Sequence, residues 1–167
     1  MSYELLSEPI RKYIRDKRWE SLRPIQAAAI ARIISTDNNY IIASRTASGK
    51  TEAAFLPILS KTDFNKPGVQ VLYISPLIAL INDQFYRIED LCKDLEISVT
   101  KWHGEAKKSL KTSLLENPNG IALITPESIE AMFVNAPYNM AALFGNLKYI
   151  VVDEIHSFLG VDRGLQL

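Results

Sequence analysis

Five short apolar runs divide the chain, each closed by polar or turn-forming residues, with longer stretches of helical spacing between them. The runs are Tyr40, Ile41, Ile42 and Ala43, then residues 69–74, residues 97–102 ending on Trp102, Ile121–Ile124 and Tyr149–Val152. Their length and β-branched content predict buried strands. A helix is expected from Ser7-Glu8-Pro9, and a second, capped by Ser21, carries Pro24, Ile25, Ala29 and Ile33. A third opens at Gly49 and bears Ala53, Ala54, Phe55 and Leu56, with Pro57 expected to kink or shorten it. The fourth places Leu77, Leu80, Ile81, Ile88, Leu91 and Leu95 on one face. A polar helix with Lys107, Lys108 and Lys111, one opened by Thr125-Pro126-Glu127, and a short one over residues 140–144 complete the series. Strands alternating with helices predict an α/β fold, a parallel sheet with helices on both faces.

The polar groups that interrupt this pattern share one address. The loop after residues 40–43, then Ser75-Pro76, His103-Gly104, Thr125-Pro126 and Asp153-Glu154, each follow the C-terminal end of an expected strand. Ligands bind at that edge of open α/β sheets. The first loop, Ser44, Arg45, Thr46, Ala47 and Ser48, leads into Gly49-Lys50-Thr51 at a helix start. Strand, small-residue loop and helix N-terminus form a phosphate-binding loop, although Ser44 stands where the first glycine of the pattern usually does. There Lys50 reaches the β- and γ-phosphates and the Thr51 hydroxyl ligates Mg²⁺. A strand ending in two carboxylates completes the set, with Asp153 holding Mg²⁺ through water and Glu154 orienting or deprotonating the attacking water.

Length and charge narrow the class. A chain of 167 residues is one domain's worth, and its balance of 19 basic against 19 acidic residues advertises no polyanion-binding field. Any nucleic-acid contact must be local. The basic residues Arg11, Lys12, Arg15, Lys17 and Arg18 read as a solvated helix face. The one cysteine, Cys92, excludes an internal disulfide and falls with Ile88, Leu91 and Leu95 as a core residue. No apolar run reaches transmembrane length and no signal peptide is evident, so no membrane association and a cytoplasmic location are expected.

Asp153-Glu154-Ile155-His156 resembles motif II of superfamily 2 helicases, the DEAD/DEAH-box group in its DEIH form. Leu22-Arg23-Pro24-Ile25-Gln26 resembles the upstream glutamine motif, which implies that Gln26 reads the adenine edge. Ser75-Pro76-Leu77-Ile78-Ala79-Leu80 resembles motif Ia, and Thr125-Pro126-Glu127-Ser128 resembles motif Ib. By that resemblance both contact a nucleic-acid backbone, His103 and Gly104 form a further backbone-contacting turn, and His156 couples the γ-phosphate to nucleic-acid binding. With Trp102-His103-Gly104 and Arg163-Gly164, the pattern is most similar to the large helicase-related, or Lhr-type, branch. Ile78 departs from it at a position usually basic there, as do Ser44 and Ala47 in the phosphate loop.

The resemblance implies a RecA-like P-loop NTPase domain using ATP and Mg²⁺, with single-stranded or duplex DNA or RNA as partner. It also implies an incomplete first domain over residues 1–167, C-terminally truncated, since Leu167 comes before any motif III segment or second RecA-like domain. The missing strand would lie between residues 40–43 and Tyr149–Val152, leaving a gap in the middle of the sheet. Direct pairing of those two strands, or strand exchange with a neighbouring chain, would close it. Two other readings stay open: a double-stranded DNA translocase of a restriction or defence system, and a catalytically degenerate binding scaffold.

Overall fold

The computed structural model describes residues 1–45 and 48–160, which fall into two compact units, Met1–Thr62 and Asp63–Leu167. Three helices make the first unit: α1 (Glu8–Asp16), α2 (Pro24–Ser35) and α3 (Lys50–Lys61), after a 3₁₀ turn at Ser2–Leu5. Ile10 and Ile14 of α1, Ala29, Ile30 and Ile33 of α2, and Ala53, Phe55 and Leu56 of α3 are buried and form its core. The Ser7 amide, at the N-cap of α1, donates to Ser60 Oγ at 3.2 Å and ties that helix end to α3. The basic residues of α1 are ion-paired on its surface: Arg11 with Glu4 and Glu8 (3.1 and 3.0 Å), and Lys12 with Asp16 (2.7 Å).

Three details of this unit differ from the sequence expectation. The N-cap of α2 is Arg23, not Ser21, because Pro24 at the first helical position forces the residue before it into extended backbone. Helix α3 is not shortened at Pro57 but runs on to Lys61. Every residue of α3 from 53 to 59 is buried, and that packing offsets the hydrogen bond the proline cannot make. Most consequential, residues 40–43 form no strand. Among the described residues no strand pairs with them, and a strand without a ladder has no hydrogen bonds of its own. Ile41 is accordingly 83% exposed.

All described strands belong to the second unit: β1 (Val71–Ile74), β2 (Val99–Trp102), β3 (Ile121–Ile124) and β4 (Tyr149–Val152). They form one parallel sheet in the order β2-β3-β1-β4, without the interior gap expected from the missing strand. The unfilled position is instead at the border, where β4 is paired on one side only among the described residues. Both inner strands, β1 and β3, are buried at every residue, which fits their uninterrupted apolar sequence. Leu72 and Ile74 of β1, with Ala122 and Ile124 of β3, pack against Leu114 of α5 (Lys108–Glu116), Met132 of α6 (Pro126–Asn135) and Leu143 of α7 (Met140–Phe144). Helix α4 (Ile78–Cys92) lies against β2 and β3 and buries Ile81, Ile88, Leu91 and Cys92. Among the described residues no helix is long and apolar enough to cross a membrane.

Candidate functional site

In the first unit the candidate groups gather where the chain enters α3. Gly49 is its N-cap residue and takes φ +83°, a left-handed conformation that costs glycine little. A Cβ there would sit 2.5 Å from Gln26 Nε2, so that amide would have to shift to admit a side chain. Gln26 is 4% exposed and its side-chain amide bonds backbone through both its oxygen and its nitrogen. Its Oε1 accepts the Arg23 N–H at 3.0 Å, and its Nε2 donates to the Gly49 carbonyl at 3.5 Å. The Lys50 ammonium, on the first residue of the helix, donates to the Ser44 carbonyl at 2.9 Å and so spans the loop from end to end. Among the described residues no side chain caps α3, and Ser48 Oγ is buried with no hydrogen-bond partner. Arg45 and Thr51 flank these groups, while Thr46 and Ala47 lie outside the described residues. A loop of this construction offers amide donors, one ammonium and the positive end of a helix dipole to an anion.

In the second unit the parallel register makes the C-terminal edge a straight row. Trp102, Ile124, Ile74 and Val152 are aligned across the four strands, so His103, Thr125, Ser75 and Asp153 stand side by side one residue further on. Ser75 is completely buried, and its Oγ has no partner among the described residues. His103 is 3% exposed with neither ring nitrogen hydrogen-bonded to a described residue, and burial, seconded by Lys101, depresses its pKa and favours the neutral ring. Thr125 Oγ1 donates to Ser128 Oγ at 3.0 Å across the first turn of α6, and Pro126 beside it is buried. Pro76 is also buried, whereas Gly104 and Glu127 are exposed. Of the residues expected to touch a nucleic-acid backbone, most are therefore enclosed, and two face solvent.

Asp153 ends the row and is held at three points. Its amide donates to the Ile74 carbonyl at 2.8 Å, extending the β1–β4 ladder by one step. Its Oδ1 accepts the Glu154 N–H at 2.9 Å, and its Oδ2 accepts the Tyr73 hydroxyl. Glu154 sits at φ +50°, left-handed and unfavourable for a residue with a Cβ, a conformation often found at functional sites. Its carboxylate lies 3.3 Å from His156 Nε2, on a histidine whose side chain is largely exposed. Tyr73 is a participant that sequence reasoning passed over as one more strand residue. Its signal was a hydroxyl-bearing side chain in an otherwise aliphatic strand, two residues before Ser75.

The donor set fits magnesium. Among the described residues no three histidine, cysteine or carboxylate side chains cluster as a metal cage. Magnesium asks for less from protein, namely one or two carboxylates, with waters and substrate phosphates supplying the remainder. Asp153 accepts one hydrogen bond on each oxygen from the groups above, and an ionised carboxylate has about four acceptor sites, so capacity remains.

The family model described as DEAD/DEAH box helicase matches residues 23–167. The chain belongs to that family. This DEAD/DEAH box helicase domain is 33% identical, over 99% of its length, to the ATP-dependent helicase Lhr-Core of Methanocaldococcus jannaschii, of which it covers 21%. The structure of Mycobacterium smegmatis helicase Lhr bound to ssDNA and AMP-PNP matches 99% of the chain at 26% identity with a TM-score of 0.86, over 22% of that protein. Mss116p bound to ssRNA and AMP-PNP gives the same TM-score at 18% identity, a likeness of fold that covers 34% of its chain. The fold is thus RecA-like, and the resemblance to the Lhr branch holds along nearly the whole sequence. The helicase domain spans 21% of the length of the first two curated relatives it matches.

Proposed function

We propose that residues 1–167 are the first RecA-like domain of an Lhr-like ATP-dependent helicase, and that they bind magnesium ATP whose hydrolysis drives translocation and unwinding in the longer protein. The observation that carries this reading is the row of groups at the C-terminal edge of the sheet, ended by Asp153 and Glu154, in a chain that also opens a helix with Gly49, Lys50 and Thr51. Each unit is assigned its share of the chemistry. In the first, Ser44, Arg45, Thr46, Ala47, Ser48 and Gly49 cradle phosphates, Lys50 neutralises the β- and γ-phosphates, Thr51 ligates the metal, and Gln26 meets adenine. In the second, Asp153 holds the metal's water, Glu154 orients the attacking water, and His156 links that step to nucleic acid. Magnesium, when bound, spreads the charge that develops on the β- and γ-phosphates.

Ser75, Pro76, His103, Gly104, Thr125, Pro126 and Glu127 are assigned to a DNA or RNA backbone. Hydroxyls and helix N-termini hold phosphates without reading sequence, which suits a motor that must pass over any base. The reading includes a cytoplasmic location, a second RecA-like domain acting with this one, and strand exchange with a neighbouring chain as one way of covering β4. Binding of a fluorescent ATP analogue to the 167-residue chain tests its core. Lys50→Ala abolishes that binding on this reading, and Glu154→Gln preserves it while stopping turnover in the longer protein. Unchanged binding by Lys50→Ala, or full turnover with Glu154→Gln, overturns the assignment.

A further inference from the structure

We propose that Tyr73 is a positioning residue for Asp153, its buried hydroxyl fixing the rotation of the carboxylate that serves the magnesium nucleotide. The inference rests on the magnesium ATP reading above and names a residue that reading leaves unused. A carboxylate at a strand end turns about two soft torsions, and each oxygen needs its own restraint. Glu154 supplies one through its N–H on Oδ1, and Tyr73 supplies the other through its hydroxyl on Oδ2. One donor is the residue that follows Asp153 in the chain and the other stands on β1, so the carboxylate is gripped from its own segment and from the strand beside it.

Packing alone does not explain a tyrosine here. Val71, Leu72 and Ile74 fill the rest of β1 with aliphatic carbon, and a phenylalanine would fill the position of Tyr73, 3% exposed, equally well. The hydroxyl is the single polar side-chain atom of the strand, and the partner it finds is Asp153. A phenol hydroxyl carries its proton at neutral pH and can donate to the carboxylate it faces. Outer-sphere partners of this kind set the orientation and basicity of metal-binding carboxylates, and removing one typically costs 10–100-fold in metal affinity.

The test is a magnesium titration of fluorescent ATP analogue binding by the 167-residue chain, from chelated metal to saturation, with thermal unfolding followed in parallel. Tyr73→Phe is expected to fold, to bind nucleotide without metal as the wild type does, and to need about tenfold more Mg²⁺ for half-maximal metal-dependent binding. Asp153→Asn provides the second measurement. In that background Tyr73→Phe should shift the magnesium midpoint no further, a non-additivity that a merely structural tyrosine would not produce. An unchanged midpoint in Tyr73→Phe, or equal shifts in both backgrounds, overturns the proposal while leaving the nucleotide reading intact. Wild-type binding that responds neither to Mg²⁺ nor to Asp153→Asn overturns both.

Discussion

Replacing Gly49 by alanine is the sharpest test of how the entrance to α3 is built. Two costs arise. Alanine at φ +83° pays for a left-handed backbone, about 1–2 kcal/mol. Its methyl would also lie 2.5 Å from Gln26 Nε2, which must withdraw from the Gly49 carbonyl and loosen its hold on the Arg23 amide. Gln26 is buried, and a buried amide left without its partners costs about 1–3 kcal/mol. The sum is about 2–5 kcal/mol, read as a lower urea midpoint at unchanged slope. Gln26→Ala separates the two, because in that background the nearest remaining neighbour of the methyl is Arg23 Cδ at 3.4 Å and the backbone cost, about 1–2 kcal/mol, dominates. A Gly49→Ala protein within about 0.5 kcal/mol of wild type would refute the argument. So would an equal penalty in both backgrounds.

Other outcomes follow from the same geometry. His103, held neutral by burial and by Lys101 and Lys111 against the opposing Glu105, has a folded pKa below its ordinary 6.5. The unfolded chain then takes up a proton that the folded one refuses, so stability is full above pH 6.5 and declines as pH falls through that value. His103→Phe should flatten that slope in urea unfolding at pH 7.5 and 5.5, and an unaltered slope would place the titration elsewhere. Arg11→Ala removes ion pairs whose acidic partners are exposed, and should cost below about 1 kcal/mol in the same assay. Glu154→Asn should melt no lower than wild type, since asparagine tolerates φ +50° better, while turnover in the longer protein is lost. A clear drop in melting temperature would show that the Glu154 side chain itself holds the fold.

Much of this was legible from one sequence because local rules and tertiary structure agree over most of the chain. The apolar run Tyr149–Val152 is a strand over the expected residues, and Thr125 and Pro126 are the N-cap and first residue of α6, although the Thr125 hydroxyl bonds Ser128 Oγ and not the helix backbone. What escaped depends on partners that a linear reading does not supply. Residues 40–43 have strand composition, yet pairing decides a strand, and no ladder forms there. Ser21 looked like a cap, but Pro24 constrains only its immediate neighbour, Arg23. Burial of a whole helical stretch carried α3 past Pro57, an effect invisible to local propensity. The Tyr73 hydroxyl finds its partner 80 residues along the chain, a pairing that exists only once β1 and β4 are adjacent.

The exposed side of β4 has a practical meaning for anyone handling this polypeptide. In a parallel ladder alternate residues turn both amide and carbonyl away from the partner, and Asp153 bonds toward β1, so Ile150 and Val152 direct theirs outward. Ile150 is 58% exposed, and residues 149–152 include no lysine, glutamate or proline of the sort that blunts such borders. Two copies meeting antiparallel about Val151 would set Ile150 of each against Val152 of the other, continuing one sheet through both. Edge-to-edge association in concentrated stock is the expected consequence, and Ile150→Lys should lower it in light scattering.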